Sequence, residues 1–221
     1  GISWTAAEQG RSSEAWERAD LGEFDAVVLY DMVQDSTPEQ RAGFLSLFDR
    51  GTGLVALHHA LVSHQRWPDY ERVIGGRYPE DPDAPGRVTE AVGYEHDVEI
   101  PLSIAAPGHP VVAGLDDFVL NDEIYWGFRV APDAVPLVTT SHPRSGNPLA
   151  WARTEGRSRV VVIGWSPRSI RGATAFLPSV RSQLPMRLLN RLGRTRHAHV
   201  VQVVVVSFVS LVAIASWTAA A

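Results

Sequence analysis

Up to residue 164, apolar runs alternate with polar turns in a way that predicts a series of strands. The predicted strands cover residues 24–30, 54–57, 96–104, 135–140, 149–152 and 159–164. The run at 54–57 has no polar position, which is typical of a strand buried on both faces of a parallel sheet. The later strands follow one another without helices between them, and this favours antiparallel pairing. The pattern therefore predicts an α/β fold with a mostly parallel sheet and a small antiparallel extension.

One helix is predicted together with both of its ends. Thr37 is a candidate N-cap, Pro38 occupies the first helical position, and Gln40 stands where a capping box needs a glutamine or glutamate. Gly51 follows the last apolar residue of the segment and is a candidate C-cap. This helix would connect the first two predicted strands.

Two further segments have helical spacing of weaker quality. Residues 60–74 predict a helix or an irregular helical segment that Pro68 interrupts. Residues 1–20 carry Trp4 and Trp16, and their separation is compatible with an amphipathic helix of narrow apolar face.

The composition excludes several kinds of chemistry. The chain has 221 residues, of which 45% are hydrophobic, so it can bury the core of one domain. It has no cysteine, which excludes disulfides, thiolate metal sites and a cysteine nucleophile. All 20 basic residues are arginine, so no lysine is present to form a Schiff base or act as a general base.

Charge divides the chain into an acidic part and a basic tail. Residues 1–155 contain all 25 acidic residues, whereas no acidic residue follows Glu155. We expect one α/β domain over residues 1–175 and an atypical tail over 176–221, first arginine-rich and then apolar. The arginines of 157–196 could attract nucleic acid or anionic lipid, but stacking aromatics are sparse there and the domain is acidic. We therefore do not expect nucleic acid as a partner.

The last 22 residues, 200–221, are uncharged and long enough for a membrane-spanning helix. Arg191, Arg194 and Arg196 precede them, so the positive-inside rule predicts a cytoplasmic domain, with a membrane tether as one option. Three other interpretations stay open: a β-prone sticky terminus, a packed final element, or a terminus foreign to the domain.

Two adjacent histidines, His58 and His59, follow the apolar run at 54–57. Ligands of parallel α/β sheets bind outside the carboxyl ends of the strands, so these side chains lie where a functional site is expected. Imidazole can act as an acid, a base or a metal ligand near neutral pH. The structural alternative is a buried histidine bonded to the backbone. Only a turn could bring both side chains into one pocket, because neighbours on an extended chain face opposite ways.

Short motifs follow one another in a distinctive order over residues 22–164. They are Leu29-Tyr30-Asp31, residues 53–60, residues 74–77, His109-Pro110, Gly114-Leu115, Asp122-Glu123-Ile124-Tyr125, Ala150-Trp151 and Arg159-Val160. Together this set resembles the trehalose-utilisation (ThuA-like) family. The resemblance implies a flavodoxin-like fold with helices on both faces of the sheet, related to the class I glutamine amidotransferases. In those enzymes the corresponding elbow carries a catalytic cysteine, and here it carries His58 and His59.

The resemblance also implies a role in the use of trehalose or of a related disaccharide or keto-sugar. The chain departs from the family pattern in two places. No strand is predicted before Phe24, so we expect the first strand of the fold to be missing, and Gly164-Trp165 stands where the family has Gly-His. We expect both departures to remove polar groups from the pocket.

Carboxylate and phenol side chains near the predicted strand ends are the other site candidates. Glu123 could supply a general base or a metal-binding oxygen, or it could cap a turn after Asn121. Tyr30 and Asp31 end the strand next to the central one, where they could bind sugar hydroxyl groups, or Asp31 could cap the turn.

Aromatic residues could form a stacking face for a pyranose ring. The candidates are Trp67, Tyr125 and Trp126, although aromatics at this density are more often part of a core. A divalent metal bound by His58 or His59 with Glu123 is a further option, but no sequence-local zinc motif is present. No glycine-rich nucleotide motif is present either.

Three functional hypotheses follow. The first is acid–base chemistry on a small carbohydrate, with His58, His59 and Glu123 as the catalytic residues and with Tyr30, Asp31, Trp67, Tyr125 and Trp126 binding the substrate. The second is a sugar-binding module without catalysis. The third is a membrane-tethered domain whose tail matters more than its pocket. The sequence alone does not decide whether the protein is an enzyme, nor its oligomeric state.

Overall fold

The predicted apolar runs form neighbouring strands of one mixed sheet. The structure is a computed structural model and describes residues 2–9, 12–85, 91–166 and 201–207. Its strands are β1 (Ile2–Glu8), β2 (Ala26–Tyr30), β3 (Gly53–Leu57), β4 (Gly76–Arg77), β5 (Gly93–Ile104), β6 (Phe118–Trp126), β7 (Arg129–Val130), β8 (Val135–Thr140), β9 (Ala150–Glu155), β10 (Ser158–Ile163) and β11 (Val201–Ser207). Its α-helices are α1 (Pro38–Arg50) and α2 (Pro68–Ile74).

The main sheet has a parallel half and an antiparallel half. Its nine described strands lie in the order β1-β11-β2-β3-β10-β9-β8-β5-β6. Pairing is parallel from β1 to β10 and antiparallel from β10 to β6. The α/β class is confirmed, but the antiparallel part is as large as the parallel part and thus larger than predicted. Strands β4 and β7 form a separate antiparallel pair.

The two faces of the sheet are covered differently. On one face, α1 and α2 pack on apolar residues of β2, β3 and β10, including Val27, Leu54 and Val160. On the other face, Val55 and Val161 belong to a cluster with residues of β5 and β6. Those strands are far from β3 in the sheet order, so the sheet curls to cover its own second face. Both described α-helices lie on the same face, and the predicted arrangement with helices on both faces is not found in the described part of the chain.

Helix α1 begins and ends where the sequence predicts. The Thr37 hydroxyl accepts a hydrogen bond from the Gln40 backbone at 3.2 Å, and the Gln40 side chain accepts one from the Thr37 backbone at 3.0 Å. Gly51 ends the helix with φ +88°, a conformation that glycine adopts without steric cost. These capping signals lie at the ends of the helix itself, so the sequence alone was sufficient to predict both ends.

The helix predicted over residues 1–20 is wrong. This segment contains strand β1 and a short 3₁₀-helix, Glu14–Glu17. Strand β1 pairs in parallel with β11, a partner that lies about 200 residues away along the chain and that local spacing cannot reveal. A strand therefore does precede Phe24, contrary to the expectation that the first strand would be missing.

Proline begins the second helix rather than interrupting it. Pro68 occupies the first turn of α2, where its missing N–H has no helical partner to lose. The preceding residues form a 3₁₀-helix, His58–Leu61, followed by turns.

The apolar C-terminal segment is partly described. Its residues Val201–Ser207 form strand β11 between β1 and β2, and residues 208–221 lie outside the described residues, as do 167–200. In the described ranges, no helix has the length and apolar character needed to cross a membrane.

Candidate functional site

The carboxyl ends of β2, β3 and β10 meet at one edge of the sheet, and β6 approaches the same place from the antiparallel half. Tyr30 ends β2, His58 directly follows β3, and Gly164 directly follows β10. Strand β6 contributes Glu123 and Tyr125. Parallel strand ends form the usual ligand-binding edge of such sheets, as the sequence predicts here.

His58 is held by partners on both ring nitrogens. Its Nδ1 lies 3.0 Å from the carbonyl oxygen of Gly164, and its Nε2 lies 3.5 Å from Oε2 of Glu123. A carbonyl oxygen only accepts hydrogen bonds, so Nδ1 carries the proton and Nε2 is the nitrogen that can take up another. The residue is 6% exposed, and its backbone has φ +44°, an uncommon value for a residue other than glycine.

The turn after β3 brings both histidines to the same region. The left-handed backbone of His58 opens the 3₁₀-helix His58–Leu61, and the two imidazole centroids are 4.1 Å apart. The His59 ring stacks on Tyr30 at a centroid distance of 5.4 Å. The turn thereby removes the alternation that would direct adjacent side chains to opposite sides.

Glu123 lies among three groups that favour its ionised form. Its Oε1 is 2.7 Å from Nδ1 of His96, and its Oε2 accepts a hydrogen bond from the hydroxyl of Tyr125 and faces His58. Partial burial alone would raise the pKa of Glu123. The Tyr125 hydrogen bond and the two histidines outweigh this effect and lower the pKa. Glu123 therefore stays negatively charged.

Tyr125 stays protonated for the complementary reason. Burial is the largest effect on the pKa of its phenol, and the adjacent negative charge of Glu123 adds to it, so the pKa rises well above its ordinary value. The ring lies 5.6 Å from the His58 ring and 5.3 Å from the Tyr78 ring. Tyr125 thus presents a neutral hydrogen-bond donor beside the imidazole.

A pocket open to solvent lies against these residues. It encloses about 410 Å³ of empty space, part of which is continuous with bulk solvent. Its lining residues are His58, His59, Leu61, Val62, Tyr78, Tyr125, Phe128, Pro148, Leu149, Trp151 and Gly164. Most of the lining is aromatic or aliphatic, and the polar groups converge at the two histidines and Tyr125, as in many small-molecule sites.

Three of the predicted substrate-binding residues lie elsewhere. Trp67 is 3% exposed and packs in the core, with its ring 5.6 Å from that of Phe44. Trp126 follows Tyr125 on β6, packs against the core cluster of the second face and does not line the pocket. Asp31 is 2% exposed and accepts hydrogen bonds from Ser63 and Gln9.

Trp165 is also buried away from the pocket. It is 8% exposed, its ring lies 6.2 Å from that of Phe118, and it belongs to the core cluster of the second face. The residue before it, Gly164, still contributes its carbonyl oxygen to His58.

The sequence did not single out His96, Tyr78 or Tyr94 as site residues. His96 reaches Glu123 because β5 contains a β-bulge between Glu95 and Val98. The extra residue reverses the alternation of the strand, so that Tyr94 pairs with Tyr125 whereas Ile100 and Leu102 face the core. Alternation read along the sequence without the bulge would direct Tyr94 and Ile100 to the same face, and no sequence signal marks the exception.

The metal option receives no support from the described residues. Among them, no group of three or more histidine, aspartate or glutamate side chains is arranged to hold a metal ion. We therefore assign no metal ligands.

Comparison with known proteins identifies the family. The model of the ThuA family, described as "Trehalose utilisation", matches residues 2–169. This chain is a member of the ThuA family. The match begins within β1, so it extends further toward the N-terminus than the motifs over 22–164 indicated. No curated protein gave a significant match.

Solved structures share the fold of this ThuA-family chain. A ThuA-like protein from Parabacteroides merdae has a TM-score of 0.59 and 21% identity over 72% of this chain and 65% of its own. A cytoplasmic protein from Salmonella typhimurium has a TM-score of 0.54 and 16% identity over 80% and 74% of the two chains. A ThuA-like protein from Bacteroides uniformis has a TM-score of 0.52 and 16% identity over 75% and 69%. At these identities the likeness concerns the fold, and the chain spans less than two thirds of the Parabacteroides protein.

Proposed function

We propose that this ThuA-family chain performs acid–base chemistry on a small carbohydrate, trehalose or a related disaccharide or keto-sugar, with His58 as the proton-transfer group. One observation carries the proposal. The His58 ring lies in the pocket wall with its tautomer fixed by Gly164 and its basic nitrogen directed toward Glu123 and Tyr125. A buried imidazole with one nitrogen fixed and the other near a carboxylate is a recurrent acid–base arrangement.

The surrounding groups suit the transfer of one proton. Nε2 of His58 would accept a proton from a substrate hydroxyl group or from a carbon next to a ketone, and would return it later in the reaction. The resulting imidazolium would lie between the Gly164 carbonyl and the ionised Glu123. Glu123 then acts as the charge partner of His58 rather than as the general base, because its pKa is lowered. The neutral Tyr125 phenol can donate to a substrate oxygen or keep Glu123 in place.

The remaining pocket wall suits the faces of a sugar ring. The C–H face of a pyranose is apolar, and aromatic rings bind it while its hydroxyl groups remain at the rim. Tyr78 and Phe128 supply such rings in the lining, whereas Trp151 is fully buried behind it. His59, stacked on Tyr30, supplies a second imidazole at the same wall.

The variant His58→Asn tests the proton-transfer role. The asparagine amide nitrogen can replace Nδ1 as donor to Gly164, whereas nothing replaces Nε2. We would incubate the chain in D₂O with trehalose oxidised to a ketone at one ring carbon, and follow deuterium incorporation beside the ketone by NMR. The wild type should catalyse exchange, and His58→Asn should slow it by at least about 100-fold.

His109→Asn is the matched control. His109 lies in a turn, its Nδ1 accepts a hydrogen bond from the Val111 backbone, and its side chain does not line the pocket. This variant should exchange at the wild-type rate. Exchange by His58→Asn at the wild-type rate would remove His58 from the mechanism.

A sugar-binding module without catalysis is the second candidate, favoured by the predominance of aromatic and aliphatic groups in the lining. Calorimetry with trehalose and its ketone derivative separates the two candidates. Binding of either sugar without exchange or product would support the module, and an absence of binding would contradict both.

We further propose that the parallel half of the sheet is flavodoxin-like and related to the class I glutamine amidotransferases. Support comes from the sharp turn after β3, where His58 adopts φ +44° at the place that the resemblance assigns to the catalytic cysteine of those enzymes.

A further inference from the structure

The aromatic surface at this edge of the sheet extends beyond the pocket. Tyr94 lies outside the lining, yet its ring is 5.9 Å from that of Tyr125 and 5.1 Å from that of His96. Both outer residues are open to solvent, with Tyr94 55% exposed and the His96 side chain 60% exposed. The described aromatic side chains therefore continue from inside the pocket, through Tyr125, onto an exposed pair.

The backbone that places Tyr94 and His96 on this surface adopts a strained conformation. In β5, His96 and Asp97 together stand opposite Glu123, and Asp97 adopts φ +57°. Without the extra residue, Tyr94 would share a face with Ile100, which is 1% exposed in the core. The bulge instead turns Tyr94 and His96 toward the face of Glu123 and Tyr125. Bulges that redirect side chains in this way occur frequently next to functional sites.

His96 is anchored as well as exposed. Its Nδ1 contacts Oε1 of Glu123 at 2.7 Å, which fixes the ring and leaves Nε2 toward solvent as a hydrogen-bonding group. The outer pair thus combines an apolar ring face with a polar nitrogen, the combination that a pyranose ring with its rim of hydroxyl groups requires.

We propose that Tyr94 and His96 form an outer subsite that binds the second ring of a two-ring sugar whose first ring occupies the pocket. The inference rests on the proposed function and specifies its substrate class as a disaccharide. The pocket is open, and its empty space of about 410 Å³ includes solvent outside the walls. A ligand of two sugar rings would extend past the walls of such an open pocket. Tyr94 is the exposed aromatic residue beside the lining there, with its ring 5.9 Å from that of Tyr125.

Calorimetry of the full chain with one-ring and two-ring probes tests this subsite. The probes are trehalose and its ketone derivative, with glucose and the corresponding ketone derivative of glucose as one-ring counterparts. Tyr94→Ala should weaken binding of the two-ring sugars by about three- to tenfold, the range expected for loss of one aromatic contact. It should change binding of the one-ring sugars by less than about twofold, because they do not reach Tyr94.

Two variants control for indirect effects. Tyr94→Phe retains the ring and should bind two-ring sugars within about twofold of the wild type. Val119→Ala truncates a residue that is 52% exposed on the same face of the neighbouring strand β6, and it should leave all affinities unchanged. Because Tyr94 is mostly exposed, its truncation should also leave the melting temperature of the chain close to that of the wild type.

The outcomes distinguish a failure of the outer subsite from a failure of the proposed function. If the wild type binds both classes of sugar and Tyr94→Ala weakens them equally, or weakens neither, the outer subsite is wrong while the pocket hypothesis stands. If the wild type binds none of the four sugars, the proposed function fails and the subsite fails with it.

Discussion

Asp31 is a carboxyl group that folding removes from water, and its charged form is the less stable one in the folded chain. Burial is the largest effect and raises its pKa from 3.8 to about 6, although hydrogen bonds from Ser63 and Gln9 oppose the rise. The folded chain therefore binds a proton at Asp31 more tightly than the unfolded chain does. The free-energy cost of burying the charged Asp31 carboxylate is absent below the unfolded pKa, grows as the pH rises, and is complete above the folded pKa.

His64 titrates over the same range with the opposite sign. Burial lowers its pKa from 6.5 to about 4, so the folded chain loses stability as the pH falls through this interval. The two groups partly cancel in the wild type. The effect of Asp31 is therefore isolated by the difference in unfolding free energy between a variant and the wild type, rather than by the pH curve of the wild type.

Asp31→Asn should stabilise the fold near neutral pH. The asparagine oxygen can still accept from Ser63, and its amide can donate to the Gln9 side-chain oxygen, which has no hydrogen-bond partner now. Urea unfolding should show a gain over the wild type that rises from near zero at about pH 4 to about 3 kcal/mol at about pH 7.

Asp116→Asn is the control, because Asp116 is exposed and is not among the charged groups that shift the pKa of Asp31 or of His64. The difference in unfolding free energy between this variant and the wild type should be constant across this pH range. A difference for Asp31→Asn that is equally flat would show that the Asp31 carboxylate is not penalised by burial.

The β-bulge of β5 is the element on which the outer part of the site depends. Asp97 holds it with φ +57°, a conformation that aspartate tolerates and that β-branched residues strongly disfavour. Asp97→Val should destabilise the chain by about 1–3 kcal/mol in urea unfolding. Asp97→Gly should stay within about 1 kcal/mol of the wild type, because glycine removes the strain but adds freedom to the unfolded chain.

Glu99→Val is the matched control for this prediction. Glu99 is exposed, regularly paired with Asn121 and only two positions further along the same strand. Valine favours strands, so this substitution should be neutral or slightly stabilising. Equal losses from both valine substitutions would show that the cost at residue 97 is not a matter of backbone conformation.

Among the elements, those with local signals were predictable. Helix α1 has its capping residues and C-cap glycine within its own segment, and the sequence placed both ends. Strand β1 has its partner in β11, so its segment was mistaken for a helix. The bulge of β5 depends on pairing with β6, and no residue type in β5 marks it.

The residues of the site also divide into those that a local signal marks and those that depend on distant pairing. The strand-end rule located His58, His59 and Tyr30, because each lies within two residues of the end of an apolar run. Trp67 and Trp126 were included for their residue type alone, and the fold uses both in packing. His96 was overlooked because its contact with Glu123 depends on the bulge.

At the scale of the molecule, the pocket lies where the parallel half of the described sheet meets its antiparallel half. The central strands β2, β3 and β10 have neighbours on both sides, and most of their apolar side chains are buried. Strand β6 has one neighbour, β5, in the described part of the chain and carries the exposed Val119. Backbone hydrogen bonds at such an edge open more readily than those in the centre of a sheet.

Amide hydrogen exchange followed by mass spectrometry should therefore give a gradient across the sheet. Peptides from β3 and β10 should exchange slowest, and those from β6 should exchange faster, because β6 is hydrogen-bonded on one side only among the described strands. Since Glu123 and Tyr125 lie on β6, a sugar bound between them and His58 should slow exchange in β6 more than in β3. If β6 is as protected as β3 before any sugar is added, the predicted gradient is wrong and the edge of β6 is covered in solution.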